Sequence, residues 1–577
     1  MTSLSPEVER RRRLLTRAVP LTIVAVVAFA FGASAGNDDS PEKEVAARFA
    51  EAWEQKDFGA MHRELNEASR RSVSAAEFAA TYREAAEVAT LRELELDGPG
   101  DSSERGDTTV VPLAAAVETV AFGGVVAVLE LPIAEGGVAW DPSLVFPGLR
   151  RGEDLESRVE LAPRAAILAR DGTPLAEGPA EAREHPIGSA AIDVTGEVGT
   201  APEEDLMVLA RHGFPPGTPV GVSGIEQAFN TRLAGKPGGS LLAVSDSTGS
   251  ARILAEAEPR HGAPVKTTID PGLQETAVSA LAGRLGGIAV LDTRRGDVRA
   301  LAGQAFSAPR PPGSTFKLVT TTAALQEGVV SLDDYFPIVN GVNVGGRFIY
   351  NANGEYCGGT FPEAFAHSCN ADFAPLGPEV GNEKLVEAAE RFGFNSTPTL
   401  YAPQIVGEME LPESSIPTEI GDELDLAVSA IGQGEVLATA LQMASVAQAI
   451  ANGGVRQPTS LVANRKLRPD APPVRVMTRK LARQLTELMV GVVVGGTGTA
   501  GAIAEAQVAG KTGTAELGPK PGQEDSPNPV QIKDAWFTAF APAEKPRLAV
   551  AVLLIEAEAA GGEVAAPAAA EVLSAGL

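Results

Sequence analysis

A serine and a lysine three residues apart are the first side chains in this sequence that could carry out covalent chemistry. Ser314 and Lys317 lie in the stretch PGSTFK, which leads into a helix-like run ending at Gly328. On a helix these two positions share a face. A serine hydroxyl becomes a useful nucleophile when a base removes its proton, and a lysine can be that base only in its neutral form. A helix start and a partly dry cleft both favour neutral lysine, so the pair could carry out nucleophilic catalysis. An SxxK spacing alone is also expected by chance in a chain of this length, so its meaning depends on the other groups.

A second polar group lies further along the chain, in the stretch AHSCNADF, which contains Ser368 and Asn370. A hydroxyl and an amide two residues apart can face one cleft from a turn. The hydroxyl can relay a proton while the amide holds a peptide group of the substrate. The tripeptide by itself is a common surface sequence, so its meaning depends on the other groups.

The third group lies in the stretch VAGKTGTAE, on a predicted edge strand. Lys511, Thr512 and Thr514 supply a cation and two hydroxyls that could hold a carboxylate. Gly513 would allow a ligand backbone to approach closely enough to pair as an added strand. The three groups follow the order SxxK, SxN, KTG, which is the order found in serine penicillin-recognising enzymes.

A sheet flanked by helices is predicted to position these groups. A hairpin is expected from residues 287–293 and 298–303, and two further strands from residues 535–541 and 547–555, followed by an alanine-rich helix. The segment between about residues 305 and 490 is predicted to be largely helical. The predicted nucleophile therefore lies on a helical segment and the predicted carboxylate site on the sheet.

Two smaller regions precede this catalytic region. Residues 40–151 predict a small α+β domain, with helix from Ser40 to about Leu94 and strands at residues 109–117 and 120–131, the second broken at Gly123 and Gly124. Residues 152–262 contain many glycine and proline breaks and few catalytic residue types, which favours a spacer or pairing platform. The chain of 577 residues is too long for one hydrophobic core, in agreement with several domains.

The N-terminus predicts a membrane anchor. Residues 18–36 are uncharged and mostly apolar, a length of about 19 residues, close to what a helix needs to cross hydrocarbon. Arginines precede this run and Asp38 follows it, which predicts a cytoplasmic basic tail at residues 1–17 and extracytoplasmic C-terminal domains. Ala33 to Ala35 could instead be a signal-peptide cleavage site, but the length of the run favours a retained single-pass anchor in the cytoplasmic membrane.

Composition excludes some classes of partner and cofactor. The chain has 48 basic and 75 acidic residues, a formal net charge of -27 at pH 7, and such a surface repels nucleic acid. Five histidines are scattered, with no CxxC or HxxxH spacing, so neither a metal site nor another cofactor is predicted.

With the three motifs in this order, the chain resembles a class B penicillin-binding protein, a monofunctional peptidoglycan transpeptidase with a methicillin-resistance-type N-terminal domain. The other stretches that carry the resemblance are Trp140 to Leu149, Pro163 to Ala176, Gly224 to Glu226, Ala430 to Gly434 and Gly496 to Ala500. The resemblance implies a multidomain α+β fold. A transmembrane helix would be followed by a cone-shaped α+β domain at residues 40–151 and a β-rich pedestal or dimerisation domain at 152–262. A transpeptidase domain, with an antiparallel sheet flanked by helices, would span residues 263–577.

The resemblance also implies a reaction and roles for the motif residues. Ser314 would attack the penultimate D-alanine carbonyl of a peptidoglycan stem peptide, with Lys317 as general base, and an amine of a neighbouring stem would then take the acyl group. Ser368 would pass protons and Asn370 would bind the peptide. β-Lactams would acylate Ser314 because they mimic the same dipeptide.

The same resemblance assigns the KTG strand to the substrate's terminus. Lys511, Thr512 and Thr514, beside Gly513, would hold the terminal carboxylate. Backbone N–H groups of Ser314 and Thr514 would form the oxyanion hole. A separate glycosyltransferase would be the partner in wall synthesis, because the stretch between anchor and pedestal is too short to supply that activity.

Cys357 and Cys369 are the only two cysteines, and the predicted location outside the cytoplasm permits a disulfide between them. Two buried thiols are the alternative. Cys369 also occupies the middle of the SxN motif, where β-lactamases often have aspartate, and this departure favours a wall-building enzyme. A β-lactamase or D,D-carboxypeptidase shares the three motifs and remains an alternative, as does a non-enzymatic β-lactam sensor or divisome scaffold.

Overall fold

The structure is a computed structural model that describes residues 40–403, 409, 411–520 and 531–577. The predicted basic tail and membrane anchor, residues 1–36, lie outside the described residues. No helix in the described ranges is both long and apolar enough to span a bilayer. The chain forms two compact units; the first contains the chain up to Arg164, Thr200–Pro219 and Ala234–Gly262, and the second contains Ala165–Gly199, Val220–Leu233 and Ala263–Leu577.

Four helices open the first unit: α1 (Pro41–Glu54), α2 (Phe58–Arg63), α3 (Glu67–Ser72) and α4 (Ala75–Val88). Each is preceded by a residue whose side chain accepts a hydrogen bond from the first turn, namely Ser40, Asp57, Asn66 and Ser74. These caps satisfy amide groups that would otherwise lack a partner. The positions of the capping residues therefore determine where the four helices begin.

The five strands of the first sheet are β1 (Leu91–Leu96), β2 (Ser103–Arg105), β3 (Thr108–Thr119), β4 (Gly124–Ala134) and β5 (Gly137–Val138). Their antiparallel order is β1-β3-β4-β5, with β2 also on β3. The predicted helix to Leu94 is wrong, because the chain reverses at Thr90, where φ is +48°, and pairs with β3. The break predicted at Gly123 and Gly124 is confirmed, because Gly123 has φ +83° and β4 begins at Gly124, but the residues from Val120 to the break are not a strand.

Short strands and helices follow up to residue 266. The strands are β6 (Glu153–Glu160), β7 (Ile167–Leu168), β8 (Pro174–Ala176), β9 (Val198–Gly199), β10 (Val220–Gly221), β11 (Gly238–Ser245), β12 (Ala251–Ala257) and β13 (Val265–Lys266). The helices are α5 (Ile192–Thr195), α6 (Glu203–Arg211), α7 (Gly224–Ala228) and α8 (Asn230–Ala234). β12, β11 and β6 form an antiparallel sheet within the first unit, while β13-β7-β8 and β9-β10 belong to the second.

The remaining strands of the second unit are β14 (Gly286–Asp292), β15 (Val298–Gly303), β16 (Tyr335–Val339), β17 (Gly341–Val344), β18 (Arg347–Tyr350), β19 (Cys357–Thr360), β20 (Val455–Arg456), β21 (Val474–Arg475), β22 (Ala509–Pro519), β23 (Gln531–Ala541) and β24 (Leu548–Ala557). Five of them form the central antiparallel sheet, in the order β15-β14-β24-β23-β22. The predicted hairpin and the two predicted C-terminal strands all lie in this sheet. The KTG motif lies on β22, at its edge, as the sequence predicted.

The α-helices described in this region are α9 (Pro271–Leu281), α10 (Lys317–Glu327), α11 (Phe361–Ala366), α12 (Asn370–Phe373), α13 (Leu376–Val380), α14 (Asn382–Phe392), α15 (Glu423–Ala430), α16 (Ala440–Ala451), α17 (Arg479–Gly495) and α18 (Gly561–Gly576). Of these, α9 and α18 pack on one face of the central sheet and α16 packs on the other. Along β14, Ile288 and Val290 pack in one apolar cluster with α9 and α18, whereas Ala289 and Leu291 pack in another with α10 and α16. Burial of both faces explains why this strand is continuously apolar rather than alternating.

The segment from residue 305 to 490 is not uniformly helical. β16 pairs with β19, and β17 pairs with β18 through a turn at Gly345 and Gly346. Both glycines have positive φ, which suits the tight turn of a hairpin. The prediction of a largely helical segment is therefore wrong between residues 335 and 360, where glycine turns favour hairpins.

Candidate active site

Ser314 lies on a single 3-10 turn, Gly313–Phe316, and Lys317 is the first residue of α10. Gly313 has φ +52°, and a Cβ atom added there would lie 2.6 Å from the carbonyl oxygen of Thr514. Only glycine fits this close approach. The turn that carries Ser314 is therefore held directly against the KTG strand.

Backbone and side-chain contacts fix the same turn from outside. The Gly313 N–H donates to the carbonyl of Gly432 at 2.8 Å, and the indole N–H of Trp536 donates to the carbonyl of Pro311 at 2.9 Å. Just before the turn, Arg310 donates to the fully buried Asp534 on β23 at 2.6 Å. These bonds tie the nucleophile's loop to the central sheet.

Lys317 is fully buried and links α10 to the SxN motif. Its Nζ donates to the Ser368 carbonyl at 2.8 Å, to Asn370 Oδ1 at 2.8 Å and, more weakly, to Ser368 Oγ at 3.4 Å. Among the described residues it makes no hydrogen bond to Ser314. The predicted base is thus aimed at the SxN motif in this structure, one helical turn from its predicted partner.

The second lysine approaches the same hydroxyl from the sheet. Lys511 is fully buried, and its Nζ donates to Ser368 Oγ at 2.8 Å and to the Thr512 carbonyl at 3.1 Å. Ser368 itself has φ +61°, a conformation that few non-glycine residues adopt and that places its hydroxyl between the two lysines. One serine oxygen therefore connects two ammonium groups that are far apart in sequence.

Burial shapes the charge state of both lysines. Burial, followed by the nearby charge of Lys511, holds the pKa of Lys317 well below its usual value, while Asp372 acts in the opposite direction. Burial also lowers the pKa of Lys511 to about 7. A low pKa makes neutral lysine available near neutral pH, which is what a general base requires.

Asn370 joins the catalytic cluster to the hairpin of β17 and β18. Its Oδ1 accepts from Lys317, and its Nδ2 donates to the carbonyl of Tyr350 at 2.9 Å. The neighbouring Ala371 N–H donates to the side chain of the buried Asn351. The amide of Asn370 is therefore fixed from both ends.

A disulfide joins Cys357 on β19 to Cys369, between Ser368 and Asn370. The sequence left two alternatives, a disulfide or two buried thiols, and the structure contains the disulfide. It ties the SxN turn to the strand that precedes α11, so a covalent bond and hydrogen bonds hold the same turn.

The remaining KTG residues lie on the edge strand β22, where Thr512 and Gly513 are buried and Thr514 is half-buried. The hydroxyls of Thr512 and Thr497 lie 2.5 Å apart, and Thr514 Oγ1 accepts from the Gly561 N–H at 3.4 Å. At Gly513 a Cβ atom would meet the Pro312 carbonyl at 2.7 Å. The glycine of the motif therefore packs directly against the nucleophile's loop.

The structure thus brings the three predicted motifs into one place. Lys317, Ser368, Asn370 and Lys511 form a continuous hydrogen-bonded cluster, and the Ser314 turn packs against the strand of Lys511. Such an arrangement supplies a hydroxyl nucleophile, a buried amine and donors on an open strand edge, which together suit acyl transfer.

Asp372 is a member of this site that the sequence reasoning missed. Burial raises its pKa to about 6, against the opposing charge of Lys317. Its Oδ2 has no hydrogen-bond partner within the described part of the chain. Its position two residues after Asn370, on the same short helix α12, was the signal available in the sequence.

Comparison with known proteins matches three families in succession. The family described as the penicillin binding protein transpeptidase domain matches residues 286–574. The penicillin-binding protein dimerisation domain matches residues 178–267, and the NTF2-like N-terminal transpeptidase domain matches residues 41–153.

Individual relatives agree with these matches. The peptidoglycan D,D-transpeptidase PbpA of Mycolicibacterium smegmatis is 34% identical over 352 residues, which cover 57% of this chain and 65% of that protein. PbpA of Mycobacterium tuberculosis is 33% identical over 359 residues, covering 59% and 67%. The chain therefore spans about two thirds of the length of these relatives. The structure of penicillin-binding protein A from M. tuberculosis as a ceftriaxone acyl-enzyme complex has a TM-score of 0.56 and 27% identity, covering 72% of this chain and 98% of that one.

Proposed function

The chain belongs to the penicillin-binding protein transpeptidases, of class B, and from this premise we propose that it is a serine-type peptidoglycan D,D-transpeptidase. The single observation that carries the proposal is the buried cluster of Lys317, Ser368 and Lys511 packed beside the Ser314 turn. The names of the relatives and the acyl-enzyme complex of a structural neighbour support the same activity.

In the proposed acylation step, Ser314 Oγ bonds to the carbonyl carbon of the penultimate D-alanine. The serine proton passes to neutral Lys317 and then to the departing nitrogen of the terminal D-alanine, so the peptide bond breaks with its proton supplied. Since Lys317 is bonded to Ser368 and Asn370 in the free protein, its Nζ must turn toward Ser314 when substrate enters. Ser368, held between both lysines, is the proposed proton relay.

In the second step an amine from a neighbouring stem peptide attacks the acyl carbon, and its proton returns through Lys317 to Ser314 Oγ. The amide of Asn370 would hold the donor peptide. Backbone N–H groups of Ser314 and Thr514 would bind the oxyanion, an interaction whose loss costs about 3 to 4 kcal/mol in other serine enzymes.

The open edge of β22 is the proposed site for the terminal carboxylate. Lys511 supplies a cation and Thr512 and Thr514 supply hydroxyls, and the substrate backbone would pair with this edge strand. β-Lactams would bind at the same place and acylate Ser314, as the acyl-enzyme complex of the M. tuberculosis relative suggests by analogy.

We also propose the location and partner of the enzyme. The apolar run at residues 18–36, flanked by arginines, supports a single-pass anchor in the cytoplasmic membrane with the catalytic domain outside. The match of residues 41–153 to an NTF2-like domain leaves no polymerising domain between anchor and dimerisation domain, which supports a separate glycosyltransferase as partner.

Labelling with a fluorescent penicillin tests the proposed function. The native chain should become covalently labelled, and Ser314→Ala should not. Ser247→Ala, which removes an exposed serine hydroxyl elsewhere, is the matched control and should label normally. Equal labelling of the Ser314→Ala variant would refute the assignment, and rapid release of the label would indicate a β-lactamase instead.

A further inference from the structure

Exposed aromatic side chains are concentrated in one short segment. Over the described ranges, the aromatic residues that are exposed are Tyr335, Phe348, Tyr350 and Tyr356. The whole chain has only five tyrosines, and three of them are in this segment, each at least 60% exposed. Exposed apolar clusters of this kind usually mark a binding surface.

The hairpin of β17 and β18 presents two of these rings on one face. Val342 and Ile349 turn inward against the core, so the alternating positions Asn343, Phe348 and Tyr350 face outward. We call these three residues the aromatic hairpin face. The two rings touch edge to face, with centroids 4.6 Å apart.

Packing positions the Phe348 ring. A Cβ atom at Gly341 would lie 2.5 Å from the ring of Phe348, so the ring lies directly over this glycine. Asn343 is paired across the hairpin with Phe348, which places an amide beside the rings. The face thus combines a fixed apolar surface with a hydrogen-bonding group that can both donate and accept.

The aromatic hairpin face is directly continuous with the catalytic cluster. The carbonyl of Tyr350 accepts the hydrogen bond from Asn370 Nδ2, and Asn370 Oδ1 in turn accepts from Lys317. The buried Asn351, next to Tyr350, bonds the N–H of Ala371. The backbone beneath the face is therefore bonded directly to Asn370, which places the aromatic hairpin face beside the catalytic cluster.

We propose that the aromatic hairpin face binds a pyranose ring of the glycan strand to which the stem peptide is attached. This inference rests on the proposed transpeptidase function. A pyranose ring offers an apolar C–H face, which suits an aromatic surface, and a rim of hydroxyl and amide groups, which suits Asn343. The sugar and the reacting peptide belong to one covalent molecule, so a fixed face beside Asn370 would receive them together.

A kinetic comparison of two donor substrates tests the proposal. The full chain is supplied with a pentapeptide stem carrying its disaccharide, or with the same peptide without sugars, and kcat/KM is measured from release of D-alanine. The native chain should prefer the disaccharide form. Phe348→Ala should reduce that preference by about fivefold, with little change for the sugar-free peptide.

Tyr350→Ala should act in the same way, because it removes the ring but keeps the backbone carbonyl that holds Asn370. Ile253→Ala is the matched control, since this strand residue of the other compact unit is 57% exposed, close to the 60% of Tyr350. It should leave the preference unchanged.

The outcomes separate this inference from the proposed function. No D-alanine release from either substrate, in a chain that also fails to react with penicillin, would reject the transpeptidase function itself. A native chain that turns over both substrates equally would overturn the sugar site alone and favour a protein partner on this face. Variants that lose activity equally on both substrates would also overturn it, because the rings would then act on the peptide.

Discussion

Both compact units pack aromatic rings against one another, but among the described residues only the second unit also packs them against buried lysine amines. In the first unit, the Trp53 and Tyr82 centroids lie 5.0 Å apart and those of Phe78 and Tyr82 lie 4.7 Å apart. In the second unit, Lys317 Nζ lies 5.0 Å from the Phe373 centroid and Lys511 Nζ lies 5.6 Å from that of Phe365. Neither lysine forms an ion pair with a described carboxylate, although the charge of Asp372 acts on Lys317, and the hydrogen bonds of both amines go to neutral oxygens.

The buried lysine amines give the second unit a chemical role that the apolar core of the first unit does not have. The first core gains free energy by burying apolar surface, whereas the second buries two amines whose charged forms are penalised. The penalty lowers both lysine pKa values, which makes neutral Lys317 available as a base and brings the pKa of Lys511 to about 7. Substitution of a buried lysine in the second unit should therefore change mainly the acylation rate, whereas substitution of a core aromatic residue in the first unit should change mainly the free energy of unfolding.

The largest expected effect is on catalysis. Lys317→Met removes the proposed base and should reduce the rate of acylation by penicillin about a thousandfold. The free energy of unfolding should change by less than about 2 kcal/mol, because removing a buried amine offsets the lost hydrogen bonds. Stopped-flow acylation and urea unfolding measure the two quantities. Near-native acylation, or a collapse of stability, would contradict the comparison.

The reverse pattern is expected in the first unit. Phe78→Ala should lower the free energy of unfolding by about 3 to 5 kcal/mol, because it leaves a cavity among Trp140, Tyr82 and the sheet. Acylation measured well below the melting temperature should be unchanged. Thermal and urea unfolding test the stability, and a loss of acylation in the folded variant would show that the two units are not separable in this way.

Removing the disulfide should affect both stability and catalysis, because the bond stabilises the fold and also adjoins the active site. Replacing both Cys357 and Cys369 with serine opens a loop closed across 12 positions and should cost about 3 kcal/mol in the chain-entropy model. Acylation should also slow, since Cys369 lies between Ser368 and Asn370. The same effect can be measured without mutation, by comparing unfolding and acylation of the native chain with and without a reductant. Identical stability in both conditions would contradict a stabilising role for the disulfide.

The smallest expected effect is on pH dependence. The proposed role of Lys511 requires its charged form, and burial lowers its pKa to about 7. As pH rises through this value the free enzyme loses the cation that would hold the substrate carboxylate, so kcat/KM should fall on the alkaline side. Lys317 must be neutral, and its depressed pKa keeps the ascending limb well below the usual lysine range. A profile still rising at pH 10 would contradict these assignments.

Pattern and motif order predicted the parts of the fold that depend on local sequence. The β14 and β15 hairpin, the edge position of the KTG strand and the shared location of the motifs follow from strand patterns and residue types. Long-range packing decided the rest: Thr90 ends a helix because Leu91 pairs with β3, and the hairpins before the SxN motif depend on contacts with α11 and α12. The bond of Lys317 to Asn370 rather than Ser314 likewise requires the folded site.

Peptide mapping of the penicillin adduct tests the central claim most directly. The native chain is treated with penicillin, digested, and its peptides are weighed and fragmented by mass spectrometry. We expect one adduct, of intact penicillin mass, on the peptide that contains Ser314. An adduct on Ser368 or on any other residue, or no adduct at all, would contradict the account of Ser314 as the nucleophile of this site.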